Sequence, residues 1–396
     1  MQIEKITQTT DRKLTFQADI RIEELILFDI DFQLRIRDVS SGQELYSCHI
    51  RQQGIDIAWL PRGSYQVSVK LPDLNKPAGE YSFDLLAWSN ANGEAVLHHE
   101  LTRVAALTDT DSEDALNRPD WQIKSLDGKC RISELSWNKQ HDDWFFRHFD
   151  HAARVVINMM LGDSPQLKGK ILDVGCGDGI IDLAVFLRCQ PELLVGIDPF
   201  KGFERLSEIV TSNHVPAEAL DDTRLQFKAA DGNEIPYADD YFDVVLSWGS
   251  LEHIAGGYKN TLLEIQRVLK PGGLFFVHPG LFYGPVGNHL GEFFDDPFIH
   301  LKMPEEELRE KVLNTRPELM DRSGDIATPE QYWQWYTELN RITVDDFEAE
   351  LRAMNFEPWR VALRNNNLVE YTAELQKFSF TDLATSELYL SVINRK

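Results

Sequence analysis

An α/β protein with a doubly wound sheet, preceded by an antiparallel all-β domain, is the fold this sequence predicts, and three observations carry the prediction. Apolar residues run into three alternating glycines in Ile171-Leu-Asp-Val-Gly-Cys-Gly-Asp-Gly179. The next apolar run ends in an acid, Val195-Gly-Ile-Asp198, about twenty residues on, the spacing of a dinucleotide- or nucleoside-binding βαβ unit. The first hundred or so residues hold short alternating segments divided by turn residues, the mark of antiparallel strands.

Taken in order, Leu14-Thr-Phe-Gln-Ala-Asp-Ile-Arg-Ile22, Phe32-Gln-Leu-Arg-Ile-Arg37, Tyr65-Gln-Val-Ser-Val-Lys-Leu71 and Tyr81-Ser-Phe-Asp-Leu-Leu-Ala-Trp88 read as strands with one apolar face. Turn chemistry separates them at Ser41-Gly42, Pro61-Arg-Gly63, Lys76-Pro-Ala-Gly79 and Asn90-Ala-Asn-Gly93. Strands of this length and spacing predict an antiparallel β-sandwich over residues 1–106. The phrase Leu74-Asn-Lys-Pro-Ala-Gly-Glu-Tyr81, leading into a strand and then Asn92-Gly93, resembles the glycan-binding sandwich appended to ABC exporters of bacterial O-polysaccharides. That resemblance implies carbohydrate binding; a spacer or dimerisation module is the alternative.

Residues 107–140 open with an acidic stretch poor in large apolar groups and are expected to form a linker. The second domain is expected to run from 141 to 396. Between Asp142 and Met160 apolar residues fall at helical spacing, which predicts a helix in front of the first strand of the sheet.

In the glycine run, Gly175, Gly177 and Gly179 permit a tight turn and let a ligand lie against bare backbone, with Cys176 small enough to sit among them. Asp173 lies inside the strand, two residues before the first glycine, and no glycine pattern opens toward a pyrophosphate. Asp198 ends the second strand, where a carboxylate can accept from two ribose hydroxyls.

At this point the sequence resembles the class I S-adenosyl-L-methionine-dependent methyltransferases, whose seven-stranded sheet is Rossmann-like. Leu225-Gln-Phe-Lys-Ala-Ala-Asp231-Gly-Asn is similar to the third strand, Phe242-Asp-Val-Val-Leu-Ser-Trp248 to the fourth, Leu251-Glu-His253 to the start of the following helix, and Leu269-Lys-Pro-Gly-Gly273-Leu-Phe-Phe-Val277 to the turn into the fifth. The resemblance implies S-adenosylmethionine as cofactor. It assigns Asp173 and the segment Gly175, Cys176, Gly177 and Gly179 to the methionine and backbone contacts, Asp198 to the ribose, Asp231 to adenine, and Ser247 and Trp248 to the pocket wall, with Pro199, Ala230 and Gly232 also among the cofactor-binding residues. Phe200 could set a ring beside adenine.

After the fifth strand comes an aromatic-rich insertion, residues 281–340, expected to be a helical lid because binding loops of a doubly wound sheet lie at the carboxyl ends of its strands. Helices are expected at 305–314, 329–340 and 344–354, and strands near 358–364 and 387–394 should close the sheet as a hairpin. Methyl transfer to an alcohol needs a base within hydrogen-bond reach. The candidates are His289, His300 and His253, with His278 beside them. His289 leads, because Phe282-Tyr-Gly-Pro-Val-Gly-Asn-His289 resembles the post-strand loop of methyltransferases that act on sugars. Glu252-His253 reads as cofactor-pocket architecture. No metal is expected, since adjacent Asp295 and Asp296 would need further ligands.

A net charge of −24 argues against nucleic acid. Residues 1–106 carry 15 acidic and 11 basic groups, so −20 of the total lies in the remainder, which also disfavours an anionic membrane surface. Four scattered cysteines suggest neither disulfides nor zinc. The N-terminus lacks a signal pattern and no apolar run nears the roughly 18 residues of a membrane span, so a cytoplasmic protein without membrane insertion is expected. These expectations converge on O-methylation of a sugar hydroxyl in O-antigen or another surface polysaccharide, or of its lipid-linked precursor. One alternative is a small-molecule methyltransferase, for a natural product or lipid, that uses the sandwich to form a homodimer. Another is a non-catalytic glycan-binding regulator.

Overall fold

The computed structural model describes residues 2–9, 15–22, 26–53, 56–60, 62–71, 74, 79–88, 96–104, 119–126, 133–135, 144–162, 164–213, 215, 220–291, 293–316, 328–365 and 368–396. They fall into two compact units, residues 1–146 with 210–216, and residues 147–209 with 217–396. No helix among the described residues is long and apolar enough to cross a membrane.

The first unit is antiparallel throughout. One sheet has the order β1 (Gln2–Thr9), β2 (Thr15–Ile22), β6 (Gly63–Lys70), β9 (Asp120–Ser125). The other has the order β10 (Ser133–Leu135), β5 (Asp56–Leu60), β3 (Ile26–Asp38), β7 (Gly79–Trp88), β8 (Val96–Val104), with β4 (Glu44–His49) also on β3. Alternation decides which faces meet. Phe16, Ala18, Ile20 and Ile22 of β2 and Tyr65, Val67 and Val69 of β6 share one apolar core with Phe32, Leu34 and Ile36 of β3 and Phe83 and Leu85 of β7. Phe16 stacks on Phe83 with ring centroids 4.1 Å apart.

The expected linker differs from what is found. Residues 107–118 lie outside the described residues, but Asp120–Ser125 is a strand paired with β6, and Ser133–Leu135 pairs with β5. Trp121 is the reason, since burying its indole to 3% exposure offsets the ordering of a short polar strand. The turns expected at Lys76–Gly79 and Asn90–Gly93 lie largely or wholly outside the described residues, as does Cys130. Cys48, Cys176 and Cys189 are buried.

The second unit is built on a seven-stranded sheet in the order β13-β12-β11-β14-β15-β17-β16. Its strands are β11 (Lys170–Val174), β12 (Leu193–Ile197), β13 (Leu225–Lys228), β14 (Phe242–Trp248), β15 (Leu269–His278), β16 (Phe356–Asn365) and β17 (Thr385–Asn394). The first five pair in parallel; β17 runs antiparallel to both β15 and β16, so the last two form the closing hairpin. Parallel strands buried on both faces must be apolar in unbroken runs, and Ile171, Leu172, Val174, Leu194, Val195, Val244 and Val245 are all at most 1% exposed. The strand order reverses between β11 and β14, which puts the ligand crevice at their carboxyl ends.

The helix expected over 142–160 begins its described part at Trp144 and widens into π-type turns over Arg147–Ala152 and Val155–Leu161. Arg188 donates to the Phe149 carbonyl and to Asp150, and these polar contacts accompany the wide turns. The insertion after β15 has its own apolar core of Phe282, Leu290, Phe293, Ile299, Leu308, Val312, Tyr332 and Tyr336. Helices at Glu305–Asn314 and Pro329–Glu338 belong to this region, and Val344–Ala353 follows it, packing Phe347 and Leu351 into the core of the sheet. Thr328 starts the second with a reciprocal cap against Gln331, and Thr343 caps the third at Asp346.

Candidate functional site

The glycine turn is held by its neighbours. The N–H groups of Gly175 and Cys176 both donate to the Ile197 carbonyl, at 2.8 and 3.1 Å, tying the end of β11 to the end of β12. Gly175, Gly177 and Gly179 have φ of +79°, +55° and +78°, a region that side chains disfavour. A Cβ on Gly175 would collide with Ser250, and one on Gly179 would approach Phe227 to 2.7 Å, whereas one on Gly177 would meet nothing within 4 Å. Gly177 thus presents bare backbone to open space, a cradle that fits a nucleoside cofactor.

Asp198 faces this cradle. One of its carboxylate oxygens accepts from the Gly177 N–H at 3.2 Å and the other from the Phe200 N–H at 2.8 Å. Burial raises its pKa, and these backbone donors pull the other way. Beside it Pro199 is exposed, and Phe200 is 88% exposed, free to cover a bound ring. Beyond β13, Ala230 is half-buried, Gly232 is buried and Asp231 is exposed, with one oxygen accepting from the Asn233 N–H at 2.8 Å.

At the end of β14 two residues serve different faces. Ser247 donates to the Val174 carbonyl at 3.1 Å, joining β14 to β11. Trp248 packs with His278 and Tyr389, at centroid distances of 4.7 and 5.6 Å. His278 is stacked on Tyr389, and its ring donates from Nδ1 to the Leu388 carbonyl while burial lowers its pKa. Ser250, which the sequence reading passed over, donates to the Gly175 carbonyl at 2.8 Å and so fastens the turn Leu251–His253 to the glycine loop.

Asp182 also went unnoticed. It lies in the first turn of the helix Ile180–Cys189, fully buried, against Asp173, which is 2% exposed. Asp173 Oδ1 and both Asp182 oxygens meet no hydrogen-bond donor. Two carboxylates in contact in a dry interior cannot both ionise. Burial pushes Asp173 up to about 7, with the Asp198 charge adding to the rise, and burial followed by the Asp173 charge lifts Asp182 well above the usual carboxylate range. At neutral pH the pair therefore keeps a proton between its oxygens. Cys176 beside it is held as a neutral thiol, again by burial first. The signal for Asp182 was an acid interrupting the apolar run Ile180-Ile-Asp-Leu-Ala-Val-Phe186.

The proton held by this pair has a measurable consequence. Both pKa values are raised above the ordinary 3.8, so the stabilisation is complete below pH 3.8, falls as pH rises above it, and for Asp173 is lost as pH passes through about 7. Asp182→Asn keeps the shape and a donor without the charge, so its melting temperature relative to the native chain should climb between pH 5 and pH 8. Parallel melting curves across that range would show that no proton is held there.

The structure brings His253 and His289 together and leaves His300 elsewhere. The His253 and His289 rings lie 4.8 Å apart, and His253 Nε2 is 3.9 Å from Glu252 Oε1. His289 has φ of +57°, an uncommon conformation for histidine that aims its ring from the insertion loop. Asn288, 1% exposed, shapes that loop by donating to the Gly284 and Pro297 carbonyls and accepting from the Leu290 N–H. His300 is buried in the insertion core, donates from Nε2 to the Phe282 carbonyl at 2.9 Å, and is held neutral by burial with its pKa lowered to about 4. Asp296 caps the Phe298 N–H and pairs with Lys302 at 3.0 Å, so it is already engaged, while Asp295 is exposed.

Residues 172–277 match the protein family described as "Methyltransferase domain". These residues form a methyltransferase domain. Outside the match lie residues 1–171, the insertion and the closing hairpin. Among curated proteins, the 27-O-demethylrifamycin SV methyltransferase of Amycolatopsis mediterranei is 32% identical over 156 residues, covering 38% of this chain and 54% of that protein. The ubiquinone biosynthesis O-methyltransferase of Azorhizobium caulinodans is 32% identical over 136 residues, 34% of this chain and 47% of that one. The phthiotriol/phenolphthiotriol dimycocerosates methyltransferase 1 of Mycobacterium ulcerans is 28% identical over 152 residues, 37% and 52%. The chain spans about half the length of the curated relatives it matches. A crystal structure of an S-adenosylmethionine-dependent methyltransferase from Mesorhizobium loti overlays with a TM-score of 0.36 at 17% identity, covering 61% of this chain and 96% of that one.

Proposed function

We propose that the whole chain is an O-methyltransferase acting on a sugar hydroxyl of a bacterial surface glycan or its lipid-linked precursor. The observation that supports it best is the placement of the histidine pair: His253 and His289 meet on the turn that Ser250 ties to the glycine loop. A polar, proton-accepting group thus stands beside the cofactor cradle, which is what an alcohol acceptor needs. When bound, S-adenosylmethionine supplies a methyl group activated on a sulfonium sulfur. Gly177 would give it bare backbone to lie against, Asp198 would accept hydrogen bonds from the ribose hydroxyls, and Asp231 and Phe200 would serve the adenine. The net charge of −24 supports a neutral acceptor over a polyanion.

On this reading the two sheets of the first unit are the faces of a sandwich that holds the glycan chain. The shared apolar core and the Phe16–Phe83 stack support the sandwich. The relatives favour a second reading. Their names specify a rifamycin, ubiquinone and a phthiotriol lipid, so a hydroxyl of a small molecule or lipid is the alternative acceptor.

The deciding experiment incubates the full chain with S-adenosylmethionine and either purified O-polysaccharide or a panel of hydroxylated aromatics and lipids, and quantifies S-adenosylhomocysteine. Release that depends on polysaccharide, together with calorimetric binding of that polysaccharide, is the expected result. Turnover on the small-molecule panel alone would replace the glycan reading with the alternative.

A further inference from the structure

We propose that Glu252, His253 and His289 form a binding site for one divalent transition-metal ion at the acceptor side of the methyltransferase domain. The three offer one carboxylate oxygen and two imidazole nitrogens, and these atoms all lie within 4.8 Å of one another. Ligands of a single ion at bond lengths of about 2.1 Å sit about 3–4 Å apart, so small side-chain rotations close the site.

Glu252 supplies the independent sign of a missing ligand. It is 2% exposed and its Oε2 is buried without a hydrogen-bond partner. Among the described residues its ion-pair partner is His253, at 3.9 Å. A carboxylate left so in a dry interior is costly, and an ion in the gap would satisfy it. The backbone around it is built to hold that carboxylate. A Cβ on Gly280 would come within 2.7 Å of Glu252 Oε1, so glycine there leaves room for the carboxylate. Asn340 pins the turn, donating its side-chain amide to the Leu251 and Ile254 carbonyls at 2.8 and 3.0 Å and its backbone N–H to the Glu252 carbonyl at 2.7 Å.

Two imidazoles and one carboxylate with open positions suit zinc, iron(II), cobalt or manganese better than magnesium or calcium, which favour all-oxygen sites. Resting on the proposed O-methylation, the open positions would take the acceptor's hydroxyl. Coordination lowers its pKa. With the ion bound the two imidazoles are ligands rather than bases, so the O–H proton passes to solvent, the oxygen forms the new C–O bond, the C–S bond of the sulfonium breaks, and the ion keeps its oxidation state.

The test starts from the full chain stripped with a chelator. Cobalt(II) is titrated in while its visible absorption is recorded, and zinc content is measured by mass spectrometry after reloading. One equivalent of ion is expected, with S-adenosylmethionine binding unchanged by stripping. His289→Asn tolerates the left-handed backbone and His253→Ala changes an exposed side chain, so both should fold and bind the cofactor while cobalt affinity falls about 100-fold or more. No uptake by the native chain, or full uptake by both variants, overturns the site. Stoichiometric uptake without methylation of any hydroxyl acceptor would keep the site and overturn the acceptor reading. Methylation that proceeds in a chain shown to bind no ion would do the reverse.

Discussion

Replacing Asp198 by alanine is expected to weaken S-adenosylmethionine binding by about 100-fold, or about 3 kcal/mol. The carboxylate is 9% exposed at the rim of the glycine cradle, with an oxygen on each of the Gly177 and Phe200 N–H groups. Hydrogen bonds to an ionised acceptor contribute about 1.5–3 kcal/mol each, and two ribose hydroxyls would be lost together. The substitution also strips the two backbone donors of their partner, so the loop itself loosens. Asp198→Asn, which keeps one oxygen, should fall between native chain and alanine variant. Calorimetric titration with the cofactor reads the affinity, and a melting curve establishes that the variant is folded. Unchanged affinity in a folded alanine variant would remove the ribose role.

Gly175→Ala should cost the second unit about 3 kcal/mol of stability and abolish cofactor binding. With φ at +79°, a side chain carries a backbone penalty of about 1–2 kcal/mol. Its Cβ would also run into the Ser250 side chain, an overpacking that costs about 1–3 kcal/mol. The two causes separate in a double variant. Ser250→Gly relieves the collision and leaves the backbone cost, so Gly175→Ala with Ser250→Gly should regain roughly half of the loss. Denaturant titration of all three variants measures this. A double variant no more stable than Gly175→Ala alone would place the whole loss in the backbone rather than in the collision.

Several features were legible because their cause is local. The three glycines take left-handed φ values that other residues disfavour, and the apolar runs of β11, β12 and β14 are continuous because parallel strands are covered on both faces. The turn Pro271-Gly-Gly273 marked the entry to β15, where the pairing with β14 skips from Leu269 to Leu274. Local pattern was less informative about histidine. His289 led His300 and His253 as candidates on the chain, yet nothing local showed that His300 spends its ring on the Phe282 carbonyl inside the insertion while the other two converge. A strand of six residues after an acidic stretch, Asp120–Ser125, gave too few alternations to be seen.

By itself, then, the sequence determined the doubly wound sheet, its glycine cradle and the carboxylate Asp198, because each follows from what a few consecutive residues can do with their own backbone. Only the tertiary structure decided which buried charges meet. Asp182 reaches Asp173 across nine positions, and His289 joins Glu252 and His253 from a loop after the next strand. Such meetings depend on how separate elements pack, and the energy that matters there, the desolvation of a charge and the group that relieves it, has no trace in the spacing of neighbours along the chain.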